Sequence, residues 1–338
     1  MMFFKASWGF FILHFFLSFE GLSLYMRPKL FLFLIILLAF SCQNTQEKEI
    51  YMFSYSKDNG PGLHLAYSTD GYKWVALNND QPFLHPELSK DSLMRDPCII
   101  QGRDKKFHMV WTISWDEKGI GYSSSEDLIN WAPQQFIPVM AHEPEALNCW
   151  APELFYDRKE KQYMIYWSTT IPGRFKEGEV NDSDDIYNHR IYYVTTKDFK
   201  TFSETKLLYD GGFNVTDATI VYDDKKYYMF LKDETHNPIK KHIRIAVSEN
   251  FTSDYKLLSL PITPDWVEGP TVIKINDYWM VYYNEYTKDK FGAVRSEDFI
   301  RWEIVSGSLN FPPGARHGTV FKTDIKILTK LLRSISSL

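Results

Sequence analysis

From residue 50 onward the chain is written in short apolar runs separated by charged turns. Four stretches share one plan: "DPCIIQGRDKKFHMVWT" (96–112), "APELFYDRKEKQYMIYWS" (151–168), "DATIVYDDKKYYMFLKD" (217–233) and "EGPTVIKINDYWMVYYN" (268–284). Each is an apolar, β-branched segment, a polar turn and an aromatic second segment, which predicts a β-hairpin. A polar-aromatic tag also recurs: "STDGYKW" (68–74), "SEDLINW" (125–131), "TKDFKTF" (196–202), "SENFTSDY" (248–255) and "SEDFIRW" (296–302). Its Ser/Thr and Asp suit a turn closed by side-chain hydrogen bonds, and its terminal aromatic suits a wedge between neighbouring units. A divergent repeat of this size, built of short strands, predicts an all-β fold, a five-bladed β-propeller.

The two ends of the array complete each other. The first tag follows "YMFSYS" and "LHLAYS" with no innermost strand before them, and the last innermost strand, "HGTVF" (317–321), has no blade of its own. Pairing of 317–321 beside 51–56 closes the ring and removes two open strand edges. The propeller is expected to span 50–324. The tail "IKILTKLLRSISSL" (325–338) is basic and Leu/Ile-rich, and nothing in the repeat anticipates it.

Ahead of the array, "MRPKLFLFLIILLAFSC" (26–42) places two cations before an apolar run and ends in a small residue followed by Cys42. The run is short for a membrane span and matches the apolar region of a signal peptide. A lipoprotein-type signal over 26–42 is expected, with Cys42 acylated, residues 43–49 a linker and residues 1–25 an upstream extension. That reading puts the protein at the cell envelope, touching the membrane through its lipid anchor alone, with a monomer expected.

Composition narrows the partners. With 338 residues and a net charge of −5, the chain has no electrostatic footprint for nucleic acid. Aromatic residues make up 17% of it, which suits β-structure first and sugar-stacking surfaces second. Beyond Cys42 only Cys98 and Cys149 remain, too few for a disulfide framework and without zinc-ligand spacing, so both are expected as core fillers.

The candidate chemistry lies where the innermost strands begin: at Asp96, Ala151, Asp217, Glu268 and His317. Innermost strands of a propeller run the same way around one channel, so these positions meet at one mouth. Ala151 is the exception, and strand alternation puts Glu153 on its face. Gathering carboxylates costs repulsion and desolvation. Two carboxylates flanking a bond, with a third to tune them, are the apparatus of glycoside hydrolysis.

With these residues in view, the sequence resembles glycoside hydrolase family 43, five-bladed propellers acting on arabinofuranosides, xylosides and related plant glycans. The resemblance covers residues 50 to 324 and rests on "RDPCII", "NCWAPELFYD", "NVTDATIV", "WVEGPTVIK" and "RHGTVF" in that order. It implies an inverting mechanism with Asp96 as general base, Glu268 as general acid and Asp217 orienting Glu268 and raising its pKa. It also implies that His317 lies near a calcium or other ion in the channel, with no cofactor required. Arg95 is expected to keep Asp96 ionised. Substrate contacts are expected from Arg95, Trp150, Glu153, Trp266, Arg316 and His317. Lys232 and Glu234 are expected to bind hydroxyls or to pair with each other, and the tryptophans to stack on sugars or fill the core. The longest insertion, 171–189, is expected as one wall of the mouth or as a mobile acidic loop.

Three other functions compete with an exo-acting arabinofuranosidase or xylosidase, which includes a galactosyl-releasing variant. A retaining fructan-type hydrolase shares "RDP" but needs an Asn-Asp-Pro nucleophile motif and a Glu-Cys acid, and the chain has Glu-Gly-Pro. A sialidase reading rests on "STDGYKW" alone. A non-catalytic glycan-binding lipoprotein sits poorly with three intact acids.

Overall fold

The computed structural model describes residues 49–58, 60–176 and 186–336; Cys42 and the signal and linker segments fall outside them. Among the described residues there are five four-stranded antiparallel sheets. The first blade is Glu49–Lys57, Gly60–Ser68 and Val75–Ala76, completed by Ala315–Asp324 as its innermost strand. The second is Arg95–Gln101, Phe107–Thr112, Ile120–Ser125 and Gln135–Ile137. The third is Trp150–Asp157, Gln162–Thr169, Arg190–Thr196 and Lys206–Tyr209. The fourth is Val215–Asp223, Lys226–Asp233, His242–Ser248 and Lys256–Leu257, and the fifth Glu268–Ile275, Tyr278–Glu285, Lys290–Ser296 and Glu303–Ile304.

Ring closure follows the expected pairing and extends it. Tyr51 faces Lys322, Phe53 faces Val320 and Tyr55 faces Gly318 in one antiparallel ladder, so the last strand of the array completes the first blade.

The near-continuous apolar strands have a simple cause. In the second strands, Met52 packs against the second blade while Phe53 packs against the fifth. Met229 and Phe230 divide in the same way between the third and fifth blades. Strand alternation sends successive side chains to opposite faces, and in a ring each face meets a neighbouring blade. Both parities must therefore be apolar. The cores lie between blades, one at each junction.

The tags seal those junctions. Ser68 Oγ accepts from the Gly71 amide at 2.8 Å, and Asp70 Oδ1 from the Tyr72 and Lys73 amides at 2.7 and 2.9 Å. Ser125 with Asp127, Thr196 with Asp198 and Ser296 with Asp298 repeat the arrangement. The wedge involves two positions, where the sequence suggested one. The terminal Trp74 meets Tyr282 of the fifth blade edge-on at 5.9 Å. The mid-tag Phe199 stacks on His108 of the second blade at 4.2 Å, and Phe299 on Tyr228 of the fourth at 4.1 Å.

The tail forms a helix, Ile325–Ile335, capped by the Asp324 carboxylate accepting from the Lys326 amide. It buries Leu328 and Leu331 in the core between the first two blades, and Lys330 pairs with Asp127 of the second tag at 2.8 Å. Cys98 and Cys149 are free and buried. No helix among the described residues is long and apolar enough to cross a membrane.

Candidate active site

Each innermost strand is bulged where it enters the channel. The register slips between Arg95 and Cys98, Trp150 and Glu153, Thr216 and Thr219, and Glu268 and Thr271. One extra residue bends the strand and re-aims its side chains. Asp96, Ala151, Asp217 and Gly269 occupy the same place in their bulges, all with φ between +46° and +59°. Left-handed backbone is tolerated best by Gly, Asn and Asp, so Asp96, Asp217 and Gly269 suit the position and Ala151 is the strained placement.

The bulges correct the equivalence read from sequence. Glu268 precedes its bulge by one residue and matches Arg95, Trp150 and Thr216 in register; its blade carries Gly269 where others carry Asp96 and Asp217. On the closing strand the slip falls between Ala315 and Gly318, so His317 is the second residue of its bulge. Gly269 is required there: a Cβ would lie 2.5 Å from His317 Cγ. The imidazole thus rests on the backbone beside the acid.

The mouth is one cavity of about 290 Å³ lined by Arg95, Asp96, Trp115, Trp150, Ala151, Tyr187, His189, Asn214, Thr216, Asp217, Lys232, Glu234, His236, Glu268 and His317. It brings together the three acids, Arg95, Trp150 and His317. Glu153, Trp266 and Arg316 are not among its lining residues. The bulge at 151–152 breaks the alternation that would have aimed Glu153 upward. Glu153 lies buried in the channel, accepting from Thr219 of the fourth blade at 3.0 Å and Thr319 of the first at 2.9 Å. Burial pushes its carboxyl up to about 7, against the pull of His317 and both threonines. Trp266 is 42% exposed and meets the edge of Tyr286. Arg316 is spent on Asp58 at 2.6 Å and Asp289 at 3.0 Å. Of the other tryptophans, Trp111 and Trp167 are core.

The acids sit in different environments. Asp96 accepts from Thr112 at 2.9 Å and faces His317 Nδ1 at 3.4 Å. Burial alone would raise its pKa, but His317, Arg95 and Thr112 together outweigh burial and hold it below the usual carboxylate range. Arg95 is itself anchored on Asp58 at 2.8 Å. Glu268 is pushed the other way, raised by burial and by the charge of Asp217, with Lys232 opposing. Asp217 is tied to that blade by accepting from the Gly269 amide at 3.0 Å. Burial works against charge on His317 too, yet Asp96, Asp217 and Glu153 raise it to about 9.

Among the described residues no group of three or more His, Cys, Asp or Glu side chains is placed to hold an ion.

Sequence reasoning named the tryptophans of the aromatic wall but missed Tyr187, His189 and Asn214 beside them. Trp150 Nε1 donates to the Trp115 carbonyl at 2.9 Å, and Trp150 lies 4.6 Å from Tyr187, whose ring stacks near His189. Tyr187 and His189 end the long insertion. Asn214 fixes that end, accepting from the His189 amide at 2.8 Å and donating to the Tyr187 carbonyl at 3.0 Å. The insertion does wall the mouth at its described end. Its length was the only signal available.

Residues 47–324 match the family model described as a probable glycosyl hydrolase domain, related to glycoside hydrolase family 43, and the chain belongs to that family. It is 23% identical over 244 residues to an alpha-L-arabinofuranosidase of Bifidobacterium longum, covering 61% of this chain and 23% of the length of that relative. An alpha-L-arabinofuranosidase structure from Clostridium thermocellum superposes with a TM-score of 0.54 at 14% identity, over 78% of this chain and 91% of that one. One from Lactobacillus brevis gives 0.49 at 19%, over 63% and 72%. The Clostridium thermocellum superposition supports the shared propeller fold.

Proposed function

We propose that the protein is an exo-acting, inverting glycoside hydrolase that releases arabinofuranosyl or xylosyl residues, or in the wider class galactosyl residues, from plant-type glycans. The observation that carries this is one cavity holding Asp96 and Glu268 in environments that push their pKa values apart. Such divergence assigns base and acid. The likeness to an arabinofuranosidase supports the arabinofuranosyl reading. A cavity near 290 Å³ is at the small end for ligand sites and suits a single terminal sugar.

In this mechanism Asp96 accepts a proton from water as the water oxygen bonds to the anomeric carbon. Glu268 gives its proton to the glycosidic oxygen as the carbon–oxygen bond breaks. The carboxyls of an inverting pair stand roughly 6.5–9.5 Å apart to admit that water. Trp115, Trp150 and Tyr187 supply faces for stacking on the sugar. Asp217 keeps the proton on Glu268 until it is needed.

A panel of aryl arabinofuranosides, xylosides and galactosides against residues 46–338 tests the reading. Turnover of one or more, with inverted product seen by NMR, is the expected result; a retained anomer or no turnover on any would overturn it. Asp217→Asn should lower the alkaline limit of activity by about one pH unit. The sign follows from the loss of a negative neighbour: Glu268 then loses its proton at lower pH. A pH–rate profile with an unmoved alkaline limb would remove Asp217 from this role.

A further inference from the structure

The same cavity holds a cation that hydrolysis by two acids does not require. Lys232, in the second strand of the fourth blade, is 4% exposed, and its Nζ lies 3.2 Å from Glu268 Oε2 and 2.5 Å from Glu234 Oε2. The Tyr286 ring lies beneath it at 5.0 Å. Glu234 is held from behind by Lys241, with His236 Nε2 3.9 Å away. Asp217, His317 and Arg95 complete the charges acting on this corner. A buried lysine costs desolvation and is retained where its partners compensate.

Resting on the glycosidase reading, we propose that Lys232 is the positioning residue of the acid: it anchors one oxygen of Glu268, leaves the other to carry the proton, and is itself restrained by Glu234. The ion pair is made through Oε2, which leaves Oε1 for the glycosidic oxygen. The attraction is weak while Glu268 is a neutral acid and grows as the proton leaves. Lys232 therefore stabilises the transition state more than the resting state, which is what accelerates a step. Asp217 acts in the opposite sense and holds the proton in the resting enzyme. Burial disfavours the lysine's charge, but Glu268, Glu234 and Asp217 prevail and keep Lys232 cationic.

The opposition of signs makes the proposal testable. Lys232→Met removes a stabiliser of the Glu268 carboxylate, so the alkaline limb should move up by about one pH unit. The same change should cut kcat on a natural oligosaccharide about tenfold or more and spare KM, as loss of an interaction made in the transition state does. Glu234→Gln frees Lys232 to pair more closely with Glu268, so its limb should move down. Carboxyl titration of carbon-13 glutamate-labelled protein by NMR reads the same Glu268 shifts without any turnover. That arm separates failure of this proposal from failure of the glycosidase reading. Lys232→Gln serves where the methionine variant melts below assay temperature. Opposite shifts in the two variants are the expected result. Unmoved or like-signed shifts in Glu268 titration would overturn the assignment.

Discussion

Asp96→Ala should lose at least about 10³-fold in kcat on every glycoside the enzyme accepts, with KM little changed. Asp96 is the cavity acid that His317, Arg95 and Thr112 hold ionised against burial. Glu268 is raised by burial and by Asp217, so it is suited to give a proton, and Glu153 lies below on Thr219 and Thr319. Substrates with good leaving groups should show the same loss, because activating water is needed whatever leaves. Removing Asp96 also strips His317 of its nearest counter-charge, so Asp96→Asn, which keeps the shape and the Thr112 contact, belongs beside it. Both variants should be folded by thermal melting and inactive in steady-state assays. An Asn variant retaining a tenth of wild-type kcat would remove Asp96 as the base.

Truncation after Ala315 should abolish stable folding. The missing segment carries the innermost strand of the first blade and four side chains buried between blades, Val320, Phe321, Leu328 and Leu331. At about 1.5–3 kcal/mol each, their loss is roughly 6–12 kcal/mol, as large as the whole stability of a typical domain. The cut also leaves the channel-side edge of Glu49–Lys57 and the face of the fifth blade uncovered. Removing only the helix after Asp324 keeps the ring closed and gives up two of those side chains, so this shorter deletion should lower the melting temperature yet leave a cooperative transition. A native melting temperature in the longer truncation would contradict ring closure as the source of stability.

Why the architecture was legible and part of the site was not comes down to periodicity. The tags are local: a Ser or Thr oxygen binds an amide two or three residues on in all five, and an Asp carboxylate does so in four, so five degenerate copies still mark five blades. Ring closure was legible because one strand was missing at one end and spare at the other. A bulge inserts one residue without changing composition. Alternation counted through 151–153 therefore carried Glu153 to the mouth, and aligning Glu268 with Asp96 and Asp217 shifted it by one. Arg316 and Lys232 look alike as sequence. They part only in space, because Asp58 and Asp289 reach one while Glu268 and Glu234 reach the other. Tyr187 and His189 owe their positions to Asn214, 25 residues beyond His189, a link that no local pattern shows.

The division of labour between the two acids is the centre of the account, and leaving-group dependence tests it most directly. The measurement is kcat/KM of Glu268→Gln relative to wild type, on a nitrophenyl glycoside and on the matching natural oligosaccharide. A nitrophenolate leaves with little protonation, so the variant should keep most of its activity there while losing about 10²-fold or more on the oligosaccharide. Equal losses on both substrates would show that Glu268 does not protonate the leaving group.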